Sequence, residues 1–172
     1  MMRNIQSGFF LVALAVASLT AMAEAQPSQD AAPIPAPITA AKKVFFSNAG
    51  QDGLGGFSGD PDRTYNQFYA AVKASGQYEL GSAPGNADLV FEISFTVPNS
   101  GTTVIKGDSV GAAYAPEFNL RILDPKTHFT LWSFTEHVQW AVRAGNRDQN
   151  FDQGMANLGT RLKKLTTQST SV

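Results

Sequence analysis

The stretch A-D-L-V-F-E-I-S-F-T-V, Ala87 to Val97, alternates Leu89, Phe91, Ile93, Phe95 and Val97 with Val90, Glu92, Ser94 and Thr96. Successive side chains of a strand point to opposite faces, so this period of two predicts a strand with one buried and one wetter face. Downstream, Phe118, Leu120 and Ile122 resume the alternation. Asp124-Pro125-Lys126-Thr127 then makes a turn with proline at its second position, and Phe129 to Trp140 runs back as the partner strand of a hairpin. In that returning strand Trp132, Phe134, Val138 and Trp140 share one face, and Phe129 and Leu131 fall on the other. An apolar patch left on the sheet face away from the helices would be a docking site or a dimer seam.

Upstream, Lys42 to Phe46 is a short apolar run that leaves into the glycine-rich stretch Ser47 to Gly59, as a buried strand entering a loop would. Asp60 is the expected N-cap of the next helix, with Pro61 at its first position. Tyr65, Phe68, Tyr69 and Val72 line one face, and Gly76 stops it. Tyr78 to Leu80 is a brief strand candidate. Pro98 to Pro116 is a long, polar, glycine-containing connection in which Thr102 to Ile105 forms a stub of strand. Gly145 and Asn146 open a last helix whose stripe is Phe151, Met155, Leu158, Leu162 and Leu165. The order of elements predicts an α+β fold: a two-layer sandwich with a mainly antiparallel sheet of four to five strands and two helices on one face.

The chain has 172 residues, 43% apolar and 16% charged, with net charge −1. Such a balance supports one ordinary globular core and supplies no basic field for nucleic acid. The absence of cysteine removes disulfides, thiolate metal sites, thiol nucleophiles and the lipidated cysteine of a bacterial lipoprotein. Arg3, the apolar run Gly8 to Met22 and the small-residue tripeptides ending at Ala23 and Ala25 form a signal-peptide pattern over 1–25. No later stretch is long and apolar enough for a transmembrane helix. Residues 26–41, QPSQDAAPIPAPITAA, read as a Pro/Ala-rich linker, 42–168 as a single domain and 169–172 as a disordered tail. The expected location is periplasmic or secreted, reached through a cleaved signal and without a lipid anchor.

The segments ADLVFEISF (Ala87 to Phe95), LRILDPKTHFTLWSFTEHV (Leu120 to Val138) and NRDQNFDQGMANLGTRLKKL (Asn146 to Leu165) resemble a group of uncharacterised exported bacterial proteins, small envelope domains of unknown function. More distantly, the layout is similar to the α/β domains of outer-membrane lipoproteins that build secretion channels or activate wall synthesis. The resemblance implies assembly or scaffolding through an envelope protein partner or self-association, with no cofactor. It brings no catalytic motif.

Gly107-Asp108-Ser109-Val110-Gly111 matches the G-x-S-x-G pattern of a nucleophile elbow, and Asp124 and His128 follow in the chain order of an α/β-hydrolase triad. An elbow needs a strand turning sharply into a helix, whereas Pro116 follows Gly111 with no amphipathic helix between them. A small serine hydrolase is therefore the alternative to a non-enzymatic binding module. The loop from Gly50 to Gly59 lies where phosphate-binding loops occur. It has no Lys-Ser/Thr pair, and Asp60 and Asp62 bring negative charge to the amides a phosphate would need. Asp148, Asn150, Asp152 and Gly154 imitate half a calcium loop, but the stripe from Phe151 demands helix and Gly159 stands where a bidentate glutamate is required. His128 and His137 fall on opposite faces of one strand, about 30 Å apart at about 3.3 Å per residue, too far to share a metal. Phe57, Tyr114, Trp132 and Trp140, large aromatics of loops and strand ends, are the candidate binding residues.

Overall fold

The computed structural model describes residues 33–52, 56–105 and 108–167, without the side chains of 103–105 and 108–111. The signal-peptide pattern, the first part of the linker and the tail 169–172 lie outside the described residues. So do Gly107 and the side chain of Ser109.

Seven strands and three helices follow in the order α1 (Ala36–Ala40), β1 (Lys43–Gln51), α2 (Arg63–Ser75), β2 (Glu79–Leu80), β3 (Leu89–Thr96), β4 (Asn99–Ile105), β5 (Asp108–Tyr114), β6 (Glu117–Leu123), β7 (Thr130–His137) and α3 (Ala144–Thr167). Five strands form one sheet in the order β2-β1-β3-β6-β7, and β4 and β5 form a separate two-stranded sheet. The α+β architecture holds. The sheet is mixed rather than mainly antiparallel, because β1 runs parallel to both β2 and β3 while β3·β6 and β6·β7 are antiparallel. The crossover through α2 is the physical reason: a strand that leaves into a helix and returns can only re-enter alongside itself in the same direction.

Helices α2 and α3 cover one face. The alternation Leu89, Phe91, Ile93, Phe95 of β3 and Phe118, Leu120, Ile122 of β6 meets Phe68 and Val72 of α2 and Phe151, Met155, Leu158, Leu162 and Leu165 of α3, all buried in one cluster. Helix α2 starts two residues later than its sequence pattern suggests. Asp60 caps a preceding turn by accepting the Asp62 amide at 2.8 Å, and Gly76 ends the helix in the left-handed region at φ 62°. Gly154 of α3 sits where an added Cβ would lie 2.9 Å from Val138 and 3.1 Å from the Phe118 ring. Its hydrogen side chain lets this helix settle directly on the sheet.

Three expectations change. The linker does not run to residue 41: α1 folds back and buries Ile38, 1% exposed, in the core, because the Ile-Pro-Ala-Pro-Ile run offers apolar side chains to cover. Pro98 to Pro116 is a complete hairpin, β4 paired to β5, rather than a connection with one stub of strand. Leu131 and Trp132 both pack against the core, since the register shifts between Ile122 and Leu123 and the bulge turns two consecutive residues of β7 inward.

The opposite face of the sheet carries polar pairs across β3, β6 and β7, with apolar side chains gathered toward one end. Arg121 pairs with Glu92 at 2.9 Å and donates to Thr130 at 3.0 Å. Asn119 donates to Glu117 at 3.2 Å and accepts from Thr135 at 3.0 Å, and His137 stands 3.4 Å from Glu117. There half-buried Phe45 stands beside Val90, and Val90 beside Leu123, in one row across β1, β3 and β6.

The two outer edges are treated differently. At one end β2 has only two residues. At the other, the Val138 amide donates to the Pro116 carbonyl, which fixes the hydrogen-bonding alternation and turns the backbone groups of Ser133, Thr135 and His137 to the free edge of β7. Arg161 of α3 covers the Thr135 carbonyl at 2.6 Å, a charged block on an otherwise open strand.

Candidate functional site

The hairpin rises from a closed base. The Ala115 amide donates to the Pro98 carbonyl at 3.0 Å, so the chain leaves and rejoins the sandwich at nearly one point. Tyr114, the last residue of β5, is 37% exposed and lies against half-buried Trp140 with ring centroids 4.8 Å apart. Trp140 in turn meets Phe57 at 5.8 Å, and Phe57 meets Phe95 at 5.2 Å and Phe151 at 5.9 Å. A file of rings thus runs from the hairpin base into the core.

The loop carrying Phe57 is fastened by three side chains, two of them, Arg147 and Asp148, from distant sequence. Arg147, stacked 5.1 Å from Trp140, donates through Nε to the Gly56 carbonyl at 2.5 Å and through Nη1 to the Ala141 and Val142 carbonyls. Arg63 lies 4.1 Å over the Phe151 ring and donates to the Ser58 carbonyl, Asp148 and Asp152. Asp148 accepts from the Ser58 hydroxyl and, at 3.0 Å, from the Ser58 amide. The Ser58 hydroxyl bond is the largest influence holding the Asp148 carboxyl down, to about 2; partial burial opposes it, and the Ser58 amide and Arg63 add to the lowering.

These contacts assign the sequence candidates. Of the four aromatics, Phe57, Tyr114 and Trp140 come together. Phe57 is only 5% exposed and serves as an anchor of its loop, which leaves Tyr114 and Trp140 as the accessible pair. Trp132 is separate, in a cleft with Phe134, Arg161, Lys164 and Leu165. The imitation calcium loop is helix, as its apolar stripe required, and Asp148 and Asp152 are taken up by Arg63. No cluster of metal-ligating side chains occurs among the described residues.

Of the hydrolase candidates, Asp124 and His128 lie in one turn, and the side chain of Ser109 is outside the described residues. Asp124 accepts the Lys126 and Thr127 amides at 2.8 Å each and so builds the β6–β7 turn; those amides hold its carboxyl below the ordinary range. His128 occupies the left-handed region at φ 59° in the same turn. Ser109 belongs to β5, on the hairpin that enters β6 at its other end. His137 and Glu136 likewise part company, Glu136 turning inward to Arg161 and Asn157 and His137 outward to Glu117.

Sequence reading missed Ser58, Arg63 and Arg147. Their partners lie about ninety positions away, and no local pattern marks a long-range pin.

Fold and site together describe a two-layer α+β sandwich carrying an inserted β-hairpin on an aromatic base. No family model and no curated protein matches the chain. Solved structures do share its layout. A neuraminyllactose-binding hemagglutinin homolog from Helicobacter pylori is 13% identical, with 74% of this chain and 89% of that one covered and a TM-score of 0.44. Uncharacterized lipoprotein B from Nitrosomonas europaea is 6% identical over 76% and 86%, TM-score 0.45. A Xanthomonas campestris protein from a family of unknown function is 15% identical over 77% and 89%, TM-score 0.42. Among the described residues no helix is long and apolar enough to cross a membrane.

Proposed function

We propose that this chain is an exported, non-enzymatic binding or assembly domain of the cell envelope, which engages an envelope protein or a second copy of itself through the β4–β5 hairpin and the Tyr114–Trp140 pair at its base. One observation carries the reading. The hairpin forms a two-stranded sheet of its own, so both of its long edges are unpaired among the described residues, whereas the main sheet ends in a two-residue strand on one side and in an edge that Arg161 covers at Thr135 on the other. A lone hairpin is marginally stable in water and gains order by adding strands from a partner. The signal-peptide pattern of residues 1–25 supports export, and the lack of cysteine supports a protein without a lipid anchor.

The test is in-cell crosslinking of the tagged full-length protein, compared with a variant in which 99–114 is replaced by two glycines across the closed base. A discrete crosslinked species that disappears with the hairpin is the expected result. An unchanged pattern defeats the reading, as does ester hydrolysis by the purified protein that vanishes in Ser109→Ala.

A further inference from the structure

A second surface lies on the other flank of the sandwich, between the free edge of β7 and the last turns of α3. Its floor is apolar: Trp132 is half-buried, and Phe134 and Leu165 are buried beneath it, around a cleft of about 280 Å³. Its rim is cationic. Arg161 lies 5.0 Å from the Phe134 ring and pairs with Glu136 at 3.0 Å, while Lys164 is exposed and forms no ion pair among the described residues. At the entry to β7, Phe129 is 73% exposed, the most exposed aromatic of the described core strands and turns.

Backbone geometry indicates what shape fits. Ser133 turns its N–H and C=O to the free edge, and the same groups of Thr135 are covered on the carbonyl side by Arg161. A strand added alongside β7 can therefore pair at Ser133, across the segment that begins at Phe129, and must stop where the guanidinium stands. A chain that stops there places its next group beside Arg161 and Lys164. The complementary group is a carboxylate, because two cations share the single nearby acid Glu136.

We propose that this groove binds an extended, acidic-apolar peptide segment of another protein, paired in β fashion at Ser133, with one apolar side chain on Trp132, Phe134 and Leu165 and a carboxylate at Lys164. The site is independent of the hairpin. A peptide here leaves Tyr114 and Trp140 untouched, so the domain can hold two partners at once.

A displayed library of random octapeptides, selected on the full-length protein, tests this. Enriched peptides should combine β-branched or aromatic residues with Asp or Glu, should shift the amide resonances of Ser133 and Leu165, and should bind Lys164→Glu at least about tenfold more weakly while binding the 99–114 deletion unchanged. Lys164 is exposed, so its substitution leaves folding intact; the thermal transition of the variant checks that. No enrichment, enrichment of basic peptides, or equal binding to Lys164→Glu overturns the proposal. Loss of binding on hairpin deletion overturns it too, since that places the peptide on the other surface.

Discussion

The two faces of the five-stranded sheet are made from the same strands and behave as different materials. On the helix side, Phe95, Phe118 and Phe151 are fully buried and meet one another edge to face or tilted at 4.7 to 5.0 Å, and Phe91 meets Phe68 at 6.4 Å, the geometry that ring quadrupoles favour. On the open side, hydroxyls, amides and charges hold one another across β3, β6 and β7. The lesson is that the helix side supplies the stability. The open side supplies solubility and register, because each of its polar contacts only replaces one with water.

That contrast can be broken most directly at Phe151. Phe151→Ala removes the ring on which Phe57, Phe95, Phe118 and Arg63 converge, and a loss of about 3–5 kcal/mol is expected from denaturant melts. Next comes Gly154→Ala. The new methyl meets Val138 and Phe118, and overpacking should cost about 1–3 kcal/mol, read as a lower melting temperature despite the better helix propensity of alanine.

Acid titration probes the pinned loop. Because the folded Asp148 carboxyl lies at about 2, below its ordinary 3.8, its contribution is complete above about pH 4 and is lost as pH falls towards 2. The stability gap between the native protein and Asp148→Asn should therefore close over that interval; a gap constant from pH 6 to pH 2 would mean that Ser58 and Arg63 do not hold the carboxylate.

On the open face a double-mutant cycle of Glu92→Ala and Arg121→Ala should give a coupling of about 0.2–1 kcal/mol that shrinks in salt, since Arg121 is half exposed. The smallest effect is reserved for the hairpin. Replacing 99–114 by two glycines should leave the melting temperature within a few degrees of native, because its strands pair with each other and the base is already closed by Ala115 and Pro98. A collapse of the fold would show that the hairpin is part of the sandwich.

Reading the chain without its structure succeeded where the signal is local. The alternation of β3 and β6, the Asp124 turn and the stripes of α2 and α3 are patterns of period two or 3.6, set by which side chains one backbone can present to one surface. It failed where the signal is not local. The hairpin escaped because Gly101 and the Gly107–Gly111 stretch interrupt the strand pattern on either side of Thr102 to Ile105. The bulge at Leu131 is invisible in a sequence that alternates correctly on either side of it. Of the four aromatic candidates, three do converge, yet only the folded chain distinguishes the buried anchor Phe57 from the accessible Tyr114 and Trp140.

Composition and periodicity were enough to establish an α+β domain, its main strands and helices, and the absence of any thiol chemistry, since those follow from what each short segment can bury or display. The parallel pairing of β1, the polar open face, the arginine pins on the Phe57 loop and the arginine over the β7 edge emerged from the folded chain alone. Each joins residues far apart in sequence, and the free energy of such a contact depends on where the whole chain has already put its two ends.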